Sequence, residues 1–142
     1  MNGEIIEQRL FNLVRSYNKS ALNVAGSVYY RGLRPIQKNA TAYKEDIVVA
    51  FLTGINGDIQ KGTCLVNVYI PDVQASSGLF YADKKRCAAI AALMELFPSY
   101  ATENDESIYF CQSDMIYSFA EESIHQHFVS LKMDFKVQNE NY

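Results

Sequence analysis

The clearest pattern of apolar and polar positions lies near the C-terminus of the chain, from His125 onward. Apolar side chains occupy every second position there, and polar or charged side chains lie between them. The odd positions are His127, Val129, Leu131, Met133, Phe135 and Val137, and the even positions include Gln126, Ser130, Lys132, Asp134 and Lys136. A period of two predicts a β-strand with one buried face and one wet face.

The stretch 43–72 predicts a long antiparallel hairpin around which the rest of the fold is built. Two β-rich runs, 43–54 and 62–70, flank the glycine-rich sequence GINGDIQKG. The first run is apolar on both faces, whereas the second is apolar mainly on one face. Because Ile55 and Ile59 are apolar, we expect the connection to continue as a twisted ribbon.

Two other segments have the apolar spacing of helices. Asn2 is placed to cap a first helix that runs to about Tyr17, after which an Asn-Lys-Ser sequence is predicted to break it. A second helix is predicted over 79–97 and ends before Pro98. Its predicted apolar stripe consists of Phe80, Cys87, Ile90, Ala91, Met94 and Phe97.

The remaining segments complete the predicted order α-β-β-β-α-β-β. A short strand is expected over 27–31 and a flexible loop over 73–78. The final hairpin is expected to begin with a strand over 107–117 and a connection over 118–123. This order predicts an α+β fold, with a mostly antiparallel sheet and two helices packed on one of its faces.

Length and composition fit a single domain. The chain has 142 residues, of which 49% are hydrophobic and 20% charged, as in an ordinary protein that buries a core. We therefore expect one domain over 1–142, with a frayed tail at 138–142.

The net charge and the hydropathy of the chain limit the expected partners and the expected cellular location. A net charge of −3 is opposite to the cationic footprint that nucleic-acid binding needs, so no sequence-specific nucleic acid is expected as a partner. No apolar run is as long as a membrane span, and the N-terminal sequence MNGEIIEQRL lacks the pattern of a signal peptide. The expected location is the cytoplasm, without membrane contact.

The three cysteines predict buried thiols rather than disulfides. Cys64, Cys87 and Cys111 are odd in number, widely spaced and surrounded by apolar neighbours.

His125 and His127 are the candidate metal ligands, since alternate residues of a strand share one side. Zinc or copper would need a third ligand, and we consider Glu121, Glu122 or Asp114 for that role. The alternative is that both rings are packed or hydrogen-bonded at the end of the buried face. This alternative is the one we favour, with no metal and no cofactor.

Other catalytic patterns are missing from the sequence. It contains no G-x-S-x-G elbow, and its glycine-rich segment lacks the order of a phosphate-binding loop. Adjacent carboxylates at Glu45 and Asp46 point to opposite faces of a strand and do not converge. The sequence therefore predicts a protein that is not an enzyme.

Aromatic residues suggest interaction surfaces instead. The chain contains ten tyrosines and eight phenylalanines but no tryptophan. Tyrosine favours interfaces, because it adds apolar area and a polar tip with few rotatable bonds. Ordinary core packing, with hydroxyls reaching the solvent, is the alternative explanation.

Four segments carry a resemblance to a known family. They are V-Y-x-x-G-x-R-P at 28–35, the hairpin EDIVVAFLTGINGDIQKG, the strand VNVYIPD and the closing strand HFVSLKMDFKV. With the predicted order of elements, these segments resemble the tail-terminator or tail-completion proteins of tailed phages, which join head and tail. The resemblance covers nearly the whole chain and is one of architecture.

The resemblance implies a structural role in virion assembly. Proteins of that class are ring-forming subunits, often hexameric, that cap a finished tail and dock it to the head. The implied partners are other copies of this chain, the tail-tube protein and the head-connector protein, and the implied final location is the virion. The residues implied to contact partners lie at the hairpin tip: Asn56, Asp58, Gln60 and Lys61.

A different class of function stays open from the residues alone. The chain is also compatible with a stand-alone α+β module that binds a small molecule or a peptide in an apolar pocket between helix and sheet.

Overall fold

The computed structural model describes residues 2–35, 44–57, 60–97, 100–101 and 107–138. Two α-helices occur in these ranges, α1 (Gly3–Tyr17) and α2 (Lys84–Glu95). The strands are β1 (Val28–Tyr30), β2 (Asp46–Ile55), β3 (Gln60–Pro71), β4 (Val73–Gln74), β5 (Phe80–Tyr81), β6 (Tyr100–Ala101), β7 (Ser107–Glu121) and β8 (Gln126–Gln138).

Six strands form one sheet in the order β1-β2-β3-β8-β7-β6, and β4 and β5 form a separate small hairpin. Strand β1 runs parallel to β2, while the other neighbouring strands are antiparallel. The predicted α+β fold is confirmed. The long hairpin is β2–β3, and the alternating C-terminal strand β8 lies directly beside β3.

Both helices pack on one face of this sheet and share one core with it. Alternate side chains of the central strands β3 and β8 point into the core, as the period of two predicts. The helices contribute Ile6, Leu10, Val14, Cys87, Ile90 and Met94, and the two central strands contribute Cys64, Val66, Val68, Ile70, Val129, Leu131, Met133, Phe135 and Val137. The cysteines are free, with Cys64 and Cys87 buried and Cys111 half-buried.

The predicted start of α1 after Asn2 and its end at Tyr17 are confirmed, but the chain stays helical beyond that point and does not break at Asn-Lys-Ser. The Oδ1 atom of Asn2 accepts a hydrogen bond from the amide of Ile5, as an N-cap does. After Tyr17 the chain widens into a π-helical turn, Asn18–Leu22, which buries Leu22. The turn ends at Asn23 with φ 51°, a left-handed conformation that asparagine tolerates well.

The second helix is shorter than predicted, and the loop predicted over 73–78 is partly a hairpin. Asp83 caps the helix by accepting a hydrogen bond from the amide of Arg86, so α2 begins at Lys84. Phe80 is therefore in β5 and not in the helical stripe. Strands β4 and β5 are joined by a turn in which Gly78 has φ +88°, a conformation that glycine adopts without strain.

The connection predicted over 118–123 is also wrong, because β7 continues through most of it. Phe119 pairs with Phe128 and Glu121 pairs with Gln126, so these cross-strand contacts extend the ladder. The strand then passes through the 3₁₀ turn Glu122–Ile124 into β8.

Candidate interaction surface

A row of aromatic rings crosses three strands on the face of the sheet opposite the helices. We call it the aromatic row; it consists of Tyr69 on β3, Phe128 on β8, and Phe119 and Tyr117 on β7. Neighbouring ring centroids lie 5.3, 5.7 and 5.8 Å apart in that order. These separations are those of favourable aromatic pairs.

The exposure of the row increases towards β7. Tyr69 and Phe128 are half-buried, whereas 51% of Phe119 and 60% of Tyr117 is exposed. Burial raises the pKa of the Tyr69 hydroxyl, and the Glu121 carboxylate raises it further, so that hydroxyl stays neutral in ordinary buffers. The outer half of the row, Phe119 and Tyr117, presents aromatic surface to the solvent.

Arg34 fixes the inner end of the row. Its guanidinium carbon lies 4.3 Å from the ring centroid of Tyr69, and its Nε donates to Oδ2 of Asp46 at 3.0 Å. Its Nη1 donates to Oε1 of Gln126 at 2.7 Å. The Gln126 side chain is completely buried, contrary to the wet position predicted from alternation. Arg34 supplies a partner for its Oε1, whereas its Nε2 has no hydrogen-bond partner among the described residues.

The outer end of the row lies at a border of the sheet. We use the term β7 border for residues 111–121, which pair with β8 but with no other strand of the described chain. The register between β7 and β8 shifts between Ser113 and Tyr117, and Asp114 in this bulge has φ +60°. Met115 follows Asp114 and is 89% exposed. Bulges of this kind interrupt edge pairing and direct side chains outward.

Helix α2 supports the β7 border from the core side. The Nε2 atom of Gln112 donates to the carbonyls of Met94, Glu95 and Phe97 at 2.9–3.0 Å, at the C-terminal end of the helix. At the other end of α2, Lys84 Nζ lies 5.8 Å from the ring centroid of Tyr117. The border is thus held at both ends of the helix.

The predicted partner-contacting residues lie at the tip of the β2–β3 hairpin, although Asp58 is outside the described residues. Asn56 and Lys61 are exposed and Gln60 is half-buried. Gln60 Nε2 donates to Oδ1 of Asn56 at 2.7 Å, which joins the two strands of the tip. The tip lies at the Gln60 end of β3, whereas Tyr69 and Arg34 lie near the other end of that strand. The tip is therefore a separate surface from the aromatic row.

A hollow of about 290 Å³ lies between the start of α1 and this hairpin. Its lining combines apolar rings and backbone with amide side chains: Asn2, Gly3, Ile6, Phe51, Gly54, Ile55, Asn56, Gln60 and Phe135. The size is at the lower end of the range for small-molecule sites.

The two histidines do not share a strand face, so the arrangement considered for a metal is wrong. His125 is in the turn before β8 with φ 53°, and its ring stacks on Phe80 at 3.9 Å. His127 is in β8, where its Nδ1 lies 2.7 Å from Oδ1 of Asp72. Among the described residues, no three histidine, cysteine or carboxylate side chains form a group that could hold a metal ion.

The adjacent carboxylates of Glu45 and Asp46 diverge, as predicted. Glu45 accepts two hydrogen bonds from Arg86 at 2.6 and 2.7 Å, and Asp46 pairs with Arg34. The hydrogen bond with Glu45 raises the pKa of Arg86. Each carboxylate thus has a guanidinium partner and joins two segments of the fold.

Sequence reasoning missed Arg34 and Met115 as important positions. The V-Y-x-x-G-x-R-P segment includes Arg34, but nothing in it indicates a partner 92 residues later. The polar sequence Gln-Ser-Asp before Met115 interrupts a β-rich run, and this interruption could have indicated a bulge in the strand.

Neither described helix is long and apolar enough to cross a bilayer. Comparison of the chain with protein-family models and with curated proteins finds no match.

Proposed function

We propose that this chain is a structural subunit that assembles with copies of itself and docks other proteins, as tail-terminator or tail-completion proteins do at the phage head–tail junction. On this proposal it is not an enzyme. It assembles in the cytoplasm, and its final location is the virion.

The observation that carries the proposal is the exposed half of the aromatic row together with the β7 border. Monomeric proteins rarely expose large apolar side chains as one contiguous patch. Where such a patch is exposed, it often marks an interaction site. Phe119, Tyr117 and Met115 are all more than half exposed on one strand. Aromatic residues and methionine are also the residue types enriched at interface centres.

The layout of the fold supports the same function. Both helices cover one face, which leaves the opposite face and the two borders of the sheet for contacts with neighbours. A subunit of a ring needs two different contact surfaces on opposite sides. The hairpin tip is a third surface, and in the proposal it meets the tail tube or the head connector.

Light scattering coupled to size-exclusion chromatography tests the proposal. We expect a discrete multiple of the 16.1 kDa chain that becomes more populated as protein concentration rises. Phe119→Ser should weaken the assembly, because it removes a ring from the exposed row. The matched control is Leu96→Ser, which changes a side chain of 72% exposure at the end of α2. A strict monomer at every concentration would contradict the proposal.

The genes beside the coding sequence give an independent test. Capsid or tail-tube genes as neighbours are the expected result.

The hollow between α1 and the hairpin favours a second function, a small α+β module that binds a small molecule or peptide. Native mass spectrometry of the purified protein separates the two. A monomer that retains a bound compound, lost on Phe51→Ala, supports the module, whereas an oligomer without a bound compound supports the assembly role.

A further inference from the structure

Met115 is the most exposed apolar side chain of the β7 border. Its exposed fraction of 89% is the largest among the large hydrophobic side chains of the described residues. The bulge that begins at Asp114 places it outside the regular ladder. Methionine is flexible and polarisable, so it adapts readily to an irregular recess in a partner.

The opposite border of the sheet contains a recess of matching character. Helix α1 and strand β1 enclose a groove of about 630 Å³, which we call the α1–β1 groove. Its lining residues are Glu4, Ile5, Glu7, Gln8, Tyr30, Arg31 and Leu33. Leu33 is 66% exposed and Ile5 is 36% exposed, so the groove presents apolar surface to solvent.

We propose that Met115 of one copy of this chain inserts into the α1–β1 groove of the next copy. This inference rests on the proposed self-assembly and specifies its contact surfaces. Both halves of the contact are present on the same chain, at the two borders of one sheet. That arrangement suits a second copy better than an unrelated protein.

The charges beside the two halves are complementary. Near Met115 are Lys84, whose Nζ lies 5.8 Å from the ring centroid of Tyr117, and Asp114, which pairs with Lys132 at 3.2 Å. The groove is lined by two carboxylates, Glu4 and Glu7 on α1, and by one cation, Arg31 after β1. The border around Met115 therefore carries an excess of positive charge and the groove an excess of negative charge, so that Lys84 of one copy facing Glu4 of the next is favourable.

The contact is heterologous, since one border meets the other border. Repetition of a heterologous contact produces a ring when the rotation closes and a filament when it does not. The bulge at Asp114 also prevents a continuous backbone ladder between copies, so side chains determine the specificity of the contact.

The first test removes the projection. Met115→Ser should raise the dissociation constant of the assembly at least about tenfold, because a buried apolar side chain is lost from the contact. Leu33→Ser in the groove should have a similar effect. Leu79→Ser is the matched control, since this residue is 72% exposed beside the β4–β5 hairpin, and it should leave the assembly unchanged. Circular dichroism checks that each variant is folded.

The second test exchanges charges across the contact. Lys84→Glu alone and Glu4→Lys alone should each weaken the assembly, and the double variant should recover most of the wild-type affinity. Both positions lie in the first turn of a helix on the surface, so the variants are expected to fold even if the apolar variants do not.

The outcomes separate this inference from the proposed function. If wild-type protein assembles and Met115→Ser assembles equally well, or if the double charge variant shows no recovery, this contact is wrong while self-assembly stands. If wild-type protein is a monomer at every concentration, the proposed function fails and this inference fails with it.

Discussion

The guanidinium of Arg34 donates a hydrogen bond to the side chain of Gln126 at 2.7 Å, although 92 residues separate them in the chain. Gln126 is completely buried at the start of β8, and Arg34 follows β1, which is separated from β8 in the sheet by β2 and β3. The same guanidinium pairs with Asp46 at the start of β2. One side chain thus joins three segments at the end of the sheet where the aromatic row begins.

Replacing Arg34 by alanine should destabilise the fold by about 3 kcal/mol, the typical cost when one partner of a buried pair is removed. The side chains of Arg34 and Asp46 are only 11% and 6% exposed, so the carboxylate would remain without its cation in a dry position. Urea denaturation measures the change. Arg34→Lys should recover only part of the loss, because an ammonium group cannot bond to both partners in the same plane.

Lys85→Ala is the control for that experiment, since Lys85 is an exposed cation on α2. A surface change of this kind should alter the free energy of unfolding by less than about 0.5 kcal/mol. If Arg34→Ala were equally mild, the guanidinium would not be holding the three segments together.

Replacing Gln112 by alanine should loosen the end of α2. One amide nitrogen serves three carbonyls there, those of Met94, Glu95 and Phe97. Loss of these bonds should cost about 1–2 kcal/mol. Hydrogen exchange should show faster exchange confined to the last turn of α2 and the adjacent part of β7. Uniform acceleration over the whole sheet would contradict this local role.

The hairpin tip should be separable from self-assembly. Asn56→Ala with Lys61→Ala removes one exposed hydrogen bond, that from Gln60 to Asn56, and one exposed cation, so the free energy of unfolding should fall by no more than about 1.5 kcal/mol. On the proposed function, the assembly should keep its mass while its binding to a tail-tube protein encoded by a neighbouring gene weakens. Equal binding by the variant and the wild-type protein would remove the tip from the set of contact surfaces.

The regular part of the fold follows from local patterns in the sequence. Strand β8 alternates strictly, and its apolar positions from Val129 to Val137 are buried as predicted. The cap at Asn2 and the apolar stripe of α1 are equally local signals, since they depend on spacing within one or two turns. The order of the elements then indicates the fold class.

The parts that could not be predicted depend on contacts distant in sequence or on turn chemistry. Alternation predicts that Gln126 is solvent-exposed, but in the fold it is buried and its Oε1 accepts a hydrogen bond from Arg34, 92 residues earlier in the chain. Alternation also places His125 in the same strand face as His127, whereas His125 adopts φ 53° in a turn. Phe119 joins the aromatic row only because β7 continues to Glu121, beyond the predicted end at 117. The β-propensity of individual residues depends strongly on context and does not define such a boundary.

Stability should decrease in alkaline solution because of Cys64. Burial, assisted by the nearby Glu7 carboxylate, raises the pKa of its thiol to about 12, whereas an unfolded cysteine has a pKa of about 8.5. The stabilising contribution is therefore complete below about pH 8.5 and is lost as the pH rises towards 12, by at most about 1.4 kcal/mol per pH unit. In urea denaturation from pH 7 to 11, the stability difference between wild-type protein and Cys64→Ala should narrow above pH 8.5. A difference that stays constant over this range would show that the folded thiol ionises as easily as the unfolded one.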